Sequence, residues 1–215
     1  MPMLQGPFRS RQNIILASAS PRRQQLLSSL GLDFEVRPSR MTEDPPGPGE
    51  DPTEFVVRNA RLKASDKADA KHGAVVLGAD TVVVQDDRIL GKPENPSESQ
   101  RVLELLSGKT HAVITGCCLR QIPDGLEQTF HVRTDVRMAH TSPAFLRSYI
   151  ATGEGTDKAG GYAIQGVGAF LVEAIHGSYT NVVGLPLTEV CRSLLELGAI
   201  RCAEPEEIAS PQSSG

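Results

Sequence analysis

Apolar positions along this chain switch between a period of two and a period near 3.6, and the switches fall at capping and turn residues. Residues 13–17 (NIILA) read as a short buried strand. Ser20 then caps a helix with Pro21 at its first position, Leu26, Leu27 and Leu30 on one stripe, and Gly31 as its stop. Residues 41–51 (MTEDPPGPGED) form a loop too polar to pack. Asp51-Pro52-Thr53-Glu54 opens a second helix in capping-box order, expected to run to about Lys71. Residues 74–84 are a nearly continuous apolar β run, and 89–93 follow across an Asp86-Asp87 turn. Asn95-Pro96 caps a helix ending at Ser107-Gly108. Residues 110–120 and 126–138 are two strands around Asp124-Gly125, a hairpin signal. Ser142-Pro143 starts a helix to about Ala151, a glycine-rich stretch 153–168 leads into a strand over 169–175, and the last helix lies within 186–197. Helices alternate with strands and a hairpin intervenes, so the class is α/β with a mixed sheet. The polar ends divide the chain into a flexible N-terminal extension (1–12), one globular domain (13–202) and a flexible C-terminal tail (203–215).

Composition narrows the function without naming it. The chain has 215 residues, 39% hydrophobic and 22% charged, as expected of one soluble globular domain. A net charge of −4 argues against a surface for polyanions, and 4% aromatics without tryptophan argues against base-stacking platforms, so no nucleic-acid polymer is expected as a partner. No apolar run approaches the ~20 residues of a membrane span, and the first twelve residues lack the apolar core of a signal peptide. Cys117, Cys118, Cys191 and Cys202 form no CxxC pair, which favours a reduced, cytoplasmic protein without a zinc site.

Four features carry chemistry. Arg22 and Arg23 open a helix at the positive end of its dipole, where an acid would be favoured. Strand, small polar turn, helix start and two guanidinium groups together suit phosphate, although a merely solvated first turn accounts for the dipeptide equally well. Asp80 interrupts an apolar strand, where an unpaired carboxylate would cost several kcal/mol, so it requires a cation, a metal or a hydrogen-bonded role; the ordinary alternative is a strand-end cap. Lys92, in Gly91-Lys92-Pro93, sits in a loop that its proline stiffens, and taken alone is a surface lysine; Lys63, on the second helix, is by the same token a solvated one. In 157–166 (DKAGGYAIQG), Asp157 and Lys158 offer a metal and a phosphate contact, and Gln165 offers a donor and an acceptor for a base edge. A plain linker would not carry Tyr162 and Ile164 into an apolar strand. The five histidines are scattered, and neither a GxxxxGK[ST] loop nor a GxSxG elbow is present, which disfavours histidine-bound zinc, P-loop NTPases and α/β hydrolases.

Taken in order, LASASPRRQQLL, GADTVV, GKP, LSGKTHAVITG, DKAGGYAIQG and NVVGLPL resemble the Maf family of nucleoside triphosphate pyrophosphatases over about residues 13–200. The resemblance implies an elongated α/β fold, a mixed sheet flanked by helices with two lobes around a deep cleft, similar to the inosine triphosphatase superfamily. It implies a nucleotide diphosphatase, a hydrolase acting on acid anhydrides that cleaves between the α- and β-phosphates. Asp80 matches the family's catalytic aspartate, and Ser20, Arg23, Lys63, Lys92 and Lys158 match positions lining the triphosphate cleft. Arg22, Thr81 and Gln165 match the type that acts on dTTP and UTP, modified pyrimidine nucleotides included, rather than the 7-methyl-GTP type. A neutral glutamine suits the O4/N3–H edge of uracil or thymine, whereas an acid would suit a methylated, positively charged guanine. Leu62 departs from the polar residue that related chains often place before the helix lysine.

The reading that combines these parts has Mg²⁺ or Mn²⁺ held by Asp80 with Asp157 or Glu35, Asp80 activating the water, and Arg23, Lys63 and Lys92 neutralising the departing pyrophosphate. A homodimer is a partner the resemblance raises. Three rivals stand beside it: 7-methyl-GTP pyrophosphatase, a non-catalytic nucleotide-binding regulator of septum formation, and a phosphatase releasing orthophosphate.

Overall fold

The structure is a computed structural model that describes residues 6–42, 44–66, 72–123 and 125–209. In chain order its elements are β1 (Phe8–Ser10), β2 (Ile14–Leu16), α1 (Pro21–Ser28), β3 (Glu35–Val36), α2 (Pro52–Ser65), β4 (Val75–Gln85), β5 (Arg88–Leu90) and α3 (Pro96–Leu106). They continue with β6 (Thr110–Gln121), β7 (Glu127–Met138), α4 (Pro143–Ala151), two 3₁₀ turns (Ala159–Gly161 and Gly166–Leu171), β8 (Val172–His176), α5 (Tyr179–Val183), α6 (Leu187–Glu196), β9 (Ile200–Cys202) and α7 (Pro205–Ala209). Seven strands form one mixed sheet in the order β3-β2-β4-β6-β7-β8, with β5 on β4; β2 runs parallel to β3 and β4, and the remaining pairs are antiparallel. The mixed α/β class expected from the sequence is the class observed.

Local chemistry explains the helix starts. Ser20, Asp51, Asn95 and Ser142 each accept a backbone N–H of the first turn that follows, and proline occupies the next position in all four. The expected extension of α2 to residue 71 is not seen: the helix ends at Ser65 with Asp66 at its C-cap, and 67–71 lie outside the described residues. Asp86 and Asp87, both with positive φ (49° and 60°), make the tight β4–β5 hairpin. Asp124 of the β6–β7 turn is not among the described residues.

Three segments differ from expectation. The strand expected over 169–175 begins only at Val172, because 166–171 winds into a 3₁₀ turn. Residues 8–10, expected to be frayed, pair with β9 as a two-stranded ribbon. Within the expected tail, Glu207 of α7 joins Arg201 through paired contacts of 2.7 and 2.6 Å, and its main-chain oxygen accepts from Arg9.

The core is split by two polar residues. Val75, Leu77 and Ala79 of β4 pack with Leu27, Leu185, Val190 and Leu194 on one face, and Val76 packs with Ala60 and Ala64 of α2 on the other. Beyond Asp80 and Thr81 the pattern resumes: Val83 joins Leu103, Tyr149 and Tyr162, while Val82 and Val84 join Phe55 and Val56 of α2. Two apolar masses therefore share the long β4–β6 ladder, and the polar step between them sits opposite Gly116 and Thr115.

Candidate active site

A break in sheet pairing creates the cleft. On the edge of β4 away from β6, β2 pairs as far as Leu77 and β5 resumes at Val83, so among the described residues no strand lies beside 78–82 there. A cleft of about 740 Å³ opens at this break, its walls drawn from both apolar masses and from the loops at 38–41 and 157–165. The Ala79 carbonyl at the break accepts from Arg23 Nη1 (2.8 Å) and Lys63 Nζ (3.3 Å), two cations in place of a strand.

Side chains alternate along a strand, so Asp80 and Thr81 point to opposite faces. Asp80, 9% exposed, faces α2. Lys63 Nζ donates to its Oδ1 at 2.7 Å and the fully buried Asn59 donates Nδ2 to its Oδ2 at 3.0 Å. Positions 59 and 63 are one helical turn apart, so one face of α2 presents both donors to the carboxylate. The close approach depends on two glycines. A Cβ at Gly78 would lie 2.2 Å from the Ala60 carbonyl oxygen, and one at Gly116 would lie 2.5 Å from the Val56 carbonyl carbon.

Thr81 faces α1. Its Oγ1 accepts from Arg23 Nη2 (3.0 Å) and bonds Thr115 Oγ1 (2.9 Å). Arg23, 9% exposed, also donates Nε to the Gly184 carbonyl (2.8 Å) and Nη1 to Ser18 Oγ (3.2 Å). Its guanidinium thus fastens α1 and residue 184 to the break in β4. Thr115 Oγ1 donates on to the Asn181 carbonyl (3.2 Å), and Asn181 Nδ2 donates to the Val113 carbonyl and Thr134 Oγ1. The NVVGLPL segment is tied into the sheet by this network.

The structure brings Ser20, Arg22, Arg23, Lys63, Asp80, Thr81, Lys92, Asp157, Lys158 and Gln165 onto one cleft. Lys92 reaches it from a loop held by Gly160 N donating to the Gly91 carbonyl (3.0 Å). Arg22 stands 3.7 Å from Asp157, and Lys158 Nζ is 2.5 Å from the same carboxylate. Burial pushes the Asp157 pKa up, but the Lys158 hydrogen bond and the charges of Lys158 and Arg22 outweigh it and hold the carboxyl below its usual range.

Glu35 is not brought to the cleft. Its carboxylate accepts from Asn13 Nδ2 (2.8 Å) and Arg37 (2.7 Å), and its strand lies beyond β2. By register it sits two strands across and four residues along from Asp80, roughly 15 Å away. Lys63 and Arg23 line the cleft, Lys63 bound to Asp80 and Arg23 bound into the cleft wall. Two residues that the sequence does not single out also bear on the site: Asn59, which holds Asp80, and Glu154, whose main-chain carbonyl accepts from Lys158 Nζ. The spacing of Asn59 from Lys63 was a usable signal; nothing local marks Glu154.

Relatives match this sequence over nearly its full length. A dTTP/UTP pyrophosphatase of Nitratidesulfovibrio vulgaris is 47% identical over 202 residues, covering 94% of this chain and 96% of the relative. One of Geotalea uraniireducens is 48% identical over 193 residues, covering 90% and 99%. A nucleoside-triphosphatase, or dITP/XTP pyrophosphatase, of Mycobacterium abscessus superposes with a TM-score of 0.43 at 17% identity, over 86% of this chain and 94% of that one. The family described as Maf-like protein matches residues 13–197. This chain belongs to the Maf family.

Proposed function

We propose that this chain is a nucleoside triphosphate pyrophosphatase that hydrolyses dTTP and UTP to the monophosphate and pyrophosphate. The observation that carries the reading is Asp80: a nearly buried carboxylate at a break in the sheet, held at both oxygens by α2, in a cleft that also gathers Arg22, Lys92 and Lys158. The activity named for relatives 47–48% identical over most of the chain supports it.

In this reading Asp80 orients the attacking water and takes its proton as the water adds to the α-phosphorus. Lys63 and Asn59 hold the carboxylate in one orientation, so no reorganisation is needed at the moment of attack. Arg22, Lys92 and Lys158 face the triphosphate and offset the charge that builds on the leaving pyrophosphate. Arg23 shapes the wall. Gln165, on the same cleft, reads the pyrimidine edge, its amide offering both a donor and an acceptor.

Among the described residues no group of three or more His, Cys, Asp or Glu is arranged around one point. The donor set at Asp80 nevertheless fits Mg²⁺ or Mn²⁺. Its carboxylate has lone pairs beyond those used by Lys63 and Asn59, and such ions bind through one or two carboxylates plus substrate phosphates. Asp80 would hold the ion, with Asp157 as a further oxygen donor on the same cleft. When bound, the ion neutralises charge on the phosphate oxygens.

Turnover of UTP in water labelled with heavy oxygen tests the reading. Label in UMP is the expected result; label in pyrophosphate, or release of orthophosphate, contradicts it.

A further inference from the structure

The stretch that carries Gln165 is pinned on both sides, and the two pins are side chains outside the proposed chemistry. On its leading side the Tyr149 hydroxyl accepts the Ala163 N–H at 3.1 Å. On its trailing side the two carboxylate oxygens of Glu154 accept consecutive backbone amides, Val167 N at 2.8 Å and Gly168 N at 2.7 Å. Only residues 164–166 remain as an arch between the pins, with Gln165 at its centre. The packing under the arch is tight. A Cβ at Gly166, where φ is +78°, would fall 2.2 Å from Glu154 Oε1, and one at Gly168 would fall 2.5 Å from the Ala163 carbonyl oxygen. Both positions are glycine because the carboxylate and the returning chain fill that space.

Glu154 also touches a second residue of the cleft, by a different atom. Lys158 Nζ donates to the Glu154 main-chain carbonyl. One residue thus sets two things at once: its backbone holds the phosphate-side lysine, and its side chain holds the base-side arch. Hydrogen bonds from backbone N–H to an ionised carboxylate are among the stronger ones, and two on consecutive amides fix direction as well as distance.

We infer that Glu154 is a positioning residue for base recognition: its carboxylate sets where Gln165 stands relative to the triphosphate cations. The inference rests on the proposed base-reading role of Gln165. It concerns substrate affinity from the base side only, because the Lys158 contact is made by the backbone and survives a change of side chain.

The test compares UTP with inorganic tripolyphosphate, which carries the phosphates without a base. Glu154→Gln keeps the shape but loses the charge and sets an NH₂ group against one of the two amides. We expect its KM for UTP to rise about tenfold, equivalent to about 1.4 kcal/mol, with kcat changed less than KM and the inhibition constant of tripolyphosphate held near the parent value. Tyr149→Phe, which loosens the other pin, moves the same two constants in the same pattern and decides the matter alone should Glu154→Gln give no cooperative melt. Equal changes in the UTP and tripolyphosphate constants, or no change in either, overturn the inference. Gln165→Ala separates the premise from the conclusion. If that variant keeps the parent KM for UTP, the base-reading role falls and Glu154 falls with it. If it raises KM while the Glu154 and Tyr149 variants do not, the Glu154 inference alone is wrong.

Discussion

Lys63 Nζ lies 2.7 Å from Asp80 Oδ1, and both side chains are little exposed, at 13% and 12%. The pair joins the helix that covers the sheet to the strand that opens the cleft. A carboxylate this secluded is tolerated because its cation is built in by the same fold.

Removing that cation alone leaves the carboxylate uncompensated. Lys63→Met is expected to destabilise the protein by about 3 kcal/mol in urea melts. Adding Asp80→Asn to it removes the charge left behind, so the double variant recovers part of the loss. Strict additivity of the two changes would show that the pair is not coupled.

Asp80→Asn by itself keeps the shape, sets an NH₂ group against one of the two donors Lys63 and Asn59, and cannot accept a proton from water. Turnover of UTP should fall by about 10²-fold or more, with UTP binding by calorimetry retained. Turnover within a factor of a few of the parent removes Asp80 from the reaction.

Two glycines test whether the placement of α2 matters for chemistry. Gly78→Ala and Gly116→Ala each drive a methyl group into the backbone of α2, at 2.2 and 2.5 Å. Each should cost about 1–3 kcal/mol and lower kcat, because the helix that moves carries Lys63 and Asn59.

What could be read beforehand was local. Ser20-Pro21, Asp51-Pro52, Asn95-Pro96 and Ser142-Pro143 announce helix starts because capping depends on residues one to three apart. Asp80 stands out because its neighbours in the strand are apolar. The partners of these residues are set at long range and leave no such trace. Arg23 meets the carbonyl of Gly184, 161 positions away, and Phe8 pairs with Cys202. The 3₁₀ turn at Gly166–Leu171 takes the first three residues of an expected strand, and Glu154 reaches across to cap two amides at its start, a contact between residues 13 and 14 positions apart. A strand-like composition was overridden there by tertiary structure.

His111 makes the stability pH-dependent. It is 2% exposed, and its Nε2 pairs with the hydroxyl of Tyr162, a residue of the cleft wall, at 2.7 Å. Burial pushes its pKa down from 6.5 to about 4, against a smaller upward pull from Asp135. The folded protein therefore keeps His111 neutral where the unfolded chain takes up a proton. Its contribution is complete above pH 6.5 and is lost as pH falls toward 4, by about 3 kcal/mol in all at 1.36 kcal/mol per pKa unit. Melting temperatures of the parent and of His111→Gln, measured from pH 7 to 4, should converge as the pH falls. Parallel curves would assign the acid sensitivity to other groups.

The most direct test of the central claim is a product assay with Mg²⁺ across UTP, dTTP, CTP and 7-methyl-GTP. Pyrophosphate together with UMP or dTMP, formed in preference to products from the other two, is the predicted result. Preference for 7-methyl-GTP, release of orthophosphate, or tight UTP binding without any product would contradict it.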